Sequence, residues 1–77
     1  MNETFAVRLL RAQSAAGLRS FQLADKAGMR RGVLHHLEHG KCLPSFKTLI
    51  SLARALDVST DWLCGLTDER RPLKVEP

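Results

Sequence analysis

Arginine and histidine side chains crowd into one short stretch of the chain. Arg30 and Arg31 stand together, and three histidines follow within the next eight residues: His35, His36 and His39. A guanidinium group can donate two hydrogen bonds at once to the edge of a guanine, and an imidazole can contact a phosphate or a base edge. Presented together on one helix, these side chains predict an interaction with nucleic acid.

Two short helices joined by one tight turn must position these side chains. Residues 20–27 carry a leucine and two alanines three or four positions apart, which predicts a helix, and Gly28 can take the positive φ that a sharp reversal needs. A second helix, expected over residues 30–39, turns Leu34 and Leu37 inward and leaves Arg31 at the side. Its opposite face carries four residues: Gly32, His35, His36 and His39. Such a pair of helices is typical of proteins that read the major groove of DNA.

The rest of the chain predicts an all-α fold of five helices. A first helix is expected over residues 3–16, where apolar residues recur every three or four positions. Ser45 caps a fourth helix and Ser59 a short fifth helix, because a serine hydroxyl can accept a hydrogen bond from an unpaired backbone amide. Either Arg19 or Ser20 caps the second helix, and the serine is the better cap chemically. No stretch shows the period-two alternation of a strand.

The 77 residues are enough for one domain. We expect residues 1–66 to form a helix-turn-helix DNA-binding domain. Residues 67–77 are polar, contain two prolines and predict a tail that is ordered only if a partner holds it.

Positive charge is concentrated around the candidate helix pair. The whole chain has a formal charge of +4 and a pI of about 9.7. Residues 1–47 hold eight Lys or Arg against three Asp or Glu, a net of +5, whereas residues 48–77 hold four against five, a net of −1. One end of the domain is therefore expected to face nucleic acid and the other end something else.

Composition argues against several other classes of protein. Two cysteines, Cys42 and Cys64, do not make a disulfide scaffold, and with no resolving partner in the sequence they are expected to be buried filler rather than redox sensors. No secretory signal, membrane span, catalytic set or phosphate-binding loop is recognisable. We expect a cytoplasmic protein, nucleoid-associated when bound to DNA, that is not an enzyme and has no cofactor.

A metal site is the alternative explanation for the histidines. His35 and His39 lie one helical turn apart, and Cys42 follows three residues later. That spacing suits two ligands, but nothing in the sequence completes a tetrahedral set. Surface histidines that contact DNA are the simpler interpretation.

Short motifs recur in order and at regular spacing along residues 5–66. They are Arg8-Leu9, Gly17-Leu18, Leu23-Ala24, Ala27-Gly28-Met29, Leu34, Leu37-Glu38-His39-Gly40-Lys41, Pro44-Ser45, Thr48-Leu49, Leu52-Ala53-Arg54-Ala55-Leu56 and Val58-Ser59-Thr60-Asp61-Trp62-Leu63. Together they resemble the lambda-repressor-like helix-turn-helix family, also called the Cro or XRE type. The resemblance implies a compact five-helix domain in which helices two and three bind DNA, and a homodimer on a partly palindromic operator.

The resemblance also implies which residues contact DNA. Base contacts fall at and after the start of the third helix: Arg30, Arg31, Gly32, His35 and His36. Arg31 is the best candidate for a guanine edge, and Arg30 suits a phosphate better. Phosphate contacts are expected from cations and helix N-termini: Arg8, Arg19, Ser20, Lys41, Ser45 and Lys47.

The chain departs from the family pattern at three positions. Ser20 stands where the family often has a glutamine that grips phosphate. Gln13 stands where an arginine commonly pairs with the glutamate matching Glu38, so that ion pair is either absent or rebuilt as a hydrogen bond. Phe21 stands at an exposed site where the family is usually polar.

These observations predict a sequence-specific DNA-binding transcriptional regulator of prokaryotic or phage type, a repressor in preference to an activator. One alternative is the antitoxin of a toxin–antitoxin pair, which would hold a protein partner through its C-terminal half. Another is an interaction module that has lost DNA binding. Three apolar residues near the end of the domain are expected either in the core or in a dimer interface: Trp62, Leu63 and Leu66.

Overall fold

The computed structural model describes residues 2–71, with side chains described from residue 5 onward. Over this range the chain forms five helices and no strand, which confirms the all-α prediction. None of the helices in the range is long and apolar enough to cross a membrane. The helices are α1 (Asn2–Ala15), α2 (Ser20–Ala27), α3 (Arg31–Glu38), α4 (Phe46–Leu56) and α5 (Thr60–Leu63).

The helix ends follow the capping residues, with one correction. Ser45 and Ser59 cap α4 and α5 as predicted, accepting hydrogen bonds from the backbone amides of Thr48 and Trp62. The cap of α2 is Arg19, not Ser20. The Arg19 amide donates to the side chain of Gln22 at 2.8 Å, whereas the Ser20 hydroxyl donates to another helix.

Leucines from all five helices form the centre of the core. α2 packs against both α3 and α4, and α1 packs against α3 and α5. The pair α2–α3 therefore packs against α1 and α4 through its buried side. The largest fully buried side chains are Leu9, Leu23, Leu34, Leu37, Leu52 and Leu63.

The reversal between α2 and α3 occurs at Gly28, as predicted. Its φ of 69° lies in the left-handed region, where a side chain would be strained. The amide of the next residue, Met29, donates to the carbonyl of Ala24 at 2.9 Å and so closes the end of α2. The turn is therefore short and well bonded.

The structure places the three candidate interface residues of α5 and its exit in two different environments. Trp62 and Leu63 are buried within the single chain, which is the core alternative of the two that the sequence left open. The guanidinium carbons of Arg8 and Arg70 lie 5.1 and 4.6 Å from the centre of the indole, and Leu63 belongs to the core. Leu66 is 76% exposed and is available to a partner.

The predicted tail begins as a segment bonded to the domain. The Ser59 amide donates to the carbonyl of Arg70 at 2.8 Å, and the Ser59 hydroxyl donates to the carbonyl of Glu69 at 3.3 Å. Residues 69 and 70 of this segment are therefore bonded to the cap of α5 within the single chain. The remainder of the predicted tail, residues 72–77, lies outside the described residues.

The cysteines also differ from expectation. Both Cys42 and Cys64 are exposed free thiols rather than buried filler. Partial desolvation, with a smaller effect of the nearby Asp61 carboxylate, raises the pKa of the Cys64 thiol. A raised pKa leaves less reactive thiolate, so exposure alone does not make Cys64 a redox sensor.

The burial of Leu63 leads to a stability prediction with a matched control. We expect Leu63→Ala to lower the free energy of unfolding by about 2–5 kcal/mol, because it empties space in the core. Leu66→Ala removes the same atoms from an exposed site and should change it by no more than about 0.5 kcal/mol. Urea denaturation measures both. If Leu63→Ala and Leu66→Ala destabilise the protein equally, or if Leu63→Ala changes only the association between copies, the core role of Leu63 would be contradicted.

Candidate nucleic-acid interface

Helix α3 divides cleanly into a buried and an exposed side. Leu34, Leu37 and Glu38 are buried against the other helices. The five predicted base-contacting residues are all exposed, with Arg30 at the cap and the rest within the helix: Arg30, Arg31, Gly32, His35 and His36. The outer side of α3 is therefore free to enter a groove.

A chain of polar side chains fixes α3 against α1 and α2. The Ser20 hydroxyl donates to Glu38 Oε2 at 2.7 Å, and Gln13 Nε2 donates to the same hydroxyl oxygen at 3.4 Å. Glu38 and Gln13 are each only 8% exposed. A buried carboxylate is costly without a donor, so the serine compensates for the arginine that the family commonly has in place of Gln13. Gln13 and Glu38 are thus joined by hydrogen bonds through Ser20.

This network changes what Ser20 can offer to a phosphate. Its hydroxyl proton is already committed to Glu38. What remains is the backbone amide in the first turn of α2, where the partial positive charge of a helix N-terminus favours an anion.

The histidines form a compact cluster on the exposed side of α3. The rings of His35 and His39 lie with their centroids 4.1 Å apart, and His39 Nδ1 lies 2.8 Å from the His35 carbonyl oxygen. The ring of His36 is farther from that of His35, at 6.0 Å. His39 therefore uses one ring nitrogen at the end of α3. Within the described residues, no group of three potential metal ligands is assembled.

Four of the predicted phosphate-contacting residues stand at or near the ends of α2, α3 and α4. Arg19 precedes α2, Lys41 follows α3, and Ser45 and Lys47 begin α4, and all four are exposed. The Ser45 hydroxyl donates to Thr48 Oγ1 at 3.0 Å. The cap of α4 is therefore engaged locally, while the three cationic side chains are free to approach a backbone.

The guanidinium of Arg8, one of the predicted phosphate contacts, is bonded within the domain. Its guanidinium donates to the carbonyls of Trp62 and Thr67 at 2.9 and 2.7 Å and to the Asp68 carboxylate at 3.1 Å. The Arg8 side chain is only 18% exposed, and its guanidinium carbon lies 5.1 Å from the centre of the Trp62 ring. Arg8 therefore joins α1 to α5 and the segment that follows.

Two exposed apolar residues beside the predicted set were not assigned to the interface by sequence reasoning. Val33 is 43% exposed on α3, and Phe21 is 44% exposed on α2. The Phe21 ring lies 5.5 Å from the guanidinium carbon of Arg31. Helical spacing did not single out Val33, because it stands one residue before Leu34 and four before Leu37, both of which face inward. An apolar side chain there can contact the methyl group of thymine.

Gly32 is not needed for internal packing. A Cβ built on it would meet no atom within 4 Å, and its φ is not in the left-handed region. Glycine in a helix costs up to about 1 kcal/mol relative to alanine. The fold itself gives no reason for glycine here, which leaves a close external approach or simple tolerance.

A family model described as helix-turn-helix matches residues 7–63. The chain belongs to the helix-turn-helix family. The matched range includes α2, the Gly28 turn and α3. The resemblance to the Cro or XRE type is thereby confirmed, and α3 takes the place of the recognition helix in this family.

Relatives of this helix-turn-helix chain include named regulators from bacteria. It is 39% identical to the HTH-type transcriptional regulator PrtR of Pseudomonas aeruginosa over 79% of its own length and 23% of that protein. It is 35% identical to the cryptic phage CTXphi transcriptional repressor RstR of Vibrio cholerae, over 86% of its own length and 61% of that protein. The chain thus spans less than two thirds of the length of either relative.

A solved structure has the same fold. The restriction-modification controller protein C.AhdI from Aeromonas hydrophila superposes with a TM-score of 0.74 at 32% sequence identity. The match covers 78% of this chain and 91% of that protein. The five-helix arrangement is therefore shared with a protein described as a controller.

The contacts of Arg8 predict a structural effect of its removal. Arg8→Ala removes a hydrogen-bond donor from the carbonyls of Trp62 and Thr67, although the Gly65 amide still donates to the Trp62 carbonyl, so we expect the free energy of unfolding to fall by about 1–3 kcal/mol. Arg11→Ala, at an exposed position of the same helix, should change it by no more than about 0.5 kcal/mol. Thermal or urea denaturation compares the two variants. If Arg8→Ala is as stable as Arg11→Ala, the contacts with Trp62 and Thr67 contribute nothing.

Proposed function

We propose that this protein is a sequence-specific double-stranded DNA-binding transcriptional regulator, and a repressor of prokaryotic or phage type. The observation that carries the proposal is the exposed side of α3, which presents arginine and histidine side chains to solvent. The opposite side of the helix is buried against the domain through Leu34, Leu37 and Glu38. The family and its named regulators support the same function.

Each exposed residue of α3 has a proposed role in reading the groove. Arg31 donates two hydrogen bonds to a guanine edge, and Arg30 contacts the adjacent phosphate. Gly32 lets the helix backbone come close to the bases, and His35 and His36 contact base edges farther along. Val33, from its exposed position, contacts a thymine methyl group.

Phosphate contacts on either side of α3 set the register of the protein on the duplex. We assign them to Arg19, to the backbone amide of Ser20, and to Lys41, Ser45 and Lys47. The cations contribute through release of counterions, whereas the amide of Ser20 contributes through the N-terminus of α2. These contacts carry affinity but no sequence information.

The operator is proposed to be a partly palindromic site bound by a homodimer. Two copies of α3 would enter successive major grooves about 34 Å apart. Leu66, which the single chain leaves exposed, is the remaining member of the predicted interface set that can join the two copies. Bound in this way, the dimer represses by blocking access to a promoter.

Selection from random-sequence DNA tests the function directly. The protein should enrich two inverted half-sites about one helical turn apart, and log affinity should fall linearly as log salt rises. Enrichment of no sequence would favour an interaction module that has lost DNA binding. Capture of a protein partner together with DNA enrichment would favour an antitoxin.

Two substitutions separate base reading from phosphate contact on the selected site. Arg31→Ala should weaken binding about 5- to 150-fold and relax the preference at one base pair. Lys47→Ala should weaken all sequences alike and reduce the slope against log salt by about one. Fluorescence anisotropy titrations over a salt series measure both effects. Equal loss of preference in the two variants would overturn the assignment.

Gly32→Ala should act in opposite directions on the fold and on binding. We expect the free energy of unfolding to rise by up to about 1 kcal/mol, since the added methyl meets nothing and alanine favours a helix. Affinity for the selected operator should fall, because the same methyl would hold the helix away from the groove floor. Denaturation and operator titration of one preparation measure both. Unchanged affinity would mean that glycine is merely tolerated at this position.

A further inference from the structure

Phe21 lies on the exposed surface of α2, at the edge of the proposed DNA-binding side. It is 44% exposed and is not part of the hydrophobic core. The neighbouring helix brings the guanidinium carbon of Arg31 to 5.5 Å from the centre of its ring. The contact joins α2 to the first residue of α3, so it forms between the two helices that the Gly28 turn connects.

The geometry of this contact leaves the hydrogen-bonding groups of Arg31 available. An aromatic ring attracts a guanidinium through its π face, within about 6 Å of the ring centre. The N–H groups of arginine point outward in its own plane, and stacking does not consume them. A carboxylate partner would occupy those donors, but the ion pairs found between residues 5 and 71 join Arg8 to Asp68 and Arg71 to Glu69.

We propose that Phe21 is a positioning residue for Arg31 and thereby determines specificity at the base pair that Arg31 reads. This inference rests on the proposed function, since it assigns how one of its base contacts is prepared. Arginine has many rotamers, and a free side chain would lose that freedom on binding. The ring restricts the guanidinium before DNA arrives, so less freedom is lost when the two base hydrogen bonds form.

The family pattern makes this residue type notable at its position. A polar residue there could contact a phosphate, whereas phenylalanine cannot donate a hydrogen bond. Taken alone, the substitution suggests weaker DNA binding. The stacking contact gives Phe21 a different role, which acts on selectivity through Arg31 rather than on the phosphate backbone.

A direct test measures the ring contact without DNA. The δ protons of Arg31 should resonate upfield of an ordinary arginine because of the ring current of Phe21. Phe21→Leu should return them to ordinary positions, and Phe21→Trp should keep them shifted. An ordinary chemical shift in the wild-type protein would overturn the inference whatever the DNA experiments give.

A double-mutant cycle then tests the effect on recognition. The four proteins are the wild type, Phe21→Ala, Arg31→Ala and the double variant, titrated with the selected operator and with operators changed at the base pair read by Arg31. We expect Phe21→Ala to weaken the operator about two- to fivefold, the range for an exposed cation–π pair. The loss should appear at that base pair and vanish in the Arg31→Ala background.

Rescue by residue type separates positioning from a general apolar contact. Phe21→Trp should retain selectivity, because tryptophan is the best π partner for a cation, and Phe21→Leu should behave like Phe21→Ala. An equal loss on every sequence, or the same loss in the Arg31→Ala background, would mean that Phe21 contacts DNA directly and would overturn the inference. Since Phe21 is exposed, all of these variants should unfold within about 0.5 kcal/mol of the wild type.

The outcomes distinguish this inference from the proposed function. If the wild type enriches no DNA sequence, the function fails and the role of Phe21 fails with it. If the wild type selects an operator, and Arg31→Ala relaxes one base pair while Phe21→Ala matches the wild type, only the positioning role fails.

Discussion

The hydrogen bond from Ser20 to Glu38, 2.7 Å long, is the contact on which the presentation of α3 depends. Ser20 begins α2 and Glu38 ends α3, so both residues lie at the ends remote from the Gly28 turn. The two helices are therefore joined at both ends, covalently through the turn and by this bond at the other side. Because Glu38 is nearly buried, losing its donor would leave a carboxylate unpaired, which costs more than the about 1–3 kcal/mol of a neutral group.

The buried residues of α3 make its contacts with the rest of the domain, so the exposed side is not needed for packing. A methyl group on Gly32 would meet nothing within 4 Å, Val33 is exposed, and Arg31 lies beside an exposed aromatic ring and forms no ion pair among the described residues. Glycine in a helix costs up to about 1 kcal/mol relative to alanine, and no internal contact of Gly32 offsets that cost. The proposed contact with DNA would account for these features together.

Charge by itself does not say which cations face DNA. Arg8 belongs to the basic half of the chain, yet its guanidinium is used to join α1 to the backbone of Trp62 and Thr67. Arg31, by contrast, forms no ion pair within the described residues and lies beside the Phe21 ring. The difference depends on the acceptors nearby: the carbonyls of Trp62 and Thr67 lie within reach of Arg8, whereas the ring beside Arg31 offers no acceptor.

Local spacing was sufficient to predict the five helices, the serine caps of α4 and α5, the Gly28 reversal and the exposed side of α3. Each of these depends on residues within a few positions of one another, where periodicity and capping chemistry act. Contacts between distant segments decided the rest. Arg8 bonds to carbonyls 54 and 59 residues away, Ser20 bonds to a carboxylate 18 residues away, and the Trp62 ring lies against arginines from two segments. Such pairings arise only when the chain closes on itself, because no local pattern records which acceptor a long or buried side chain will meet.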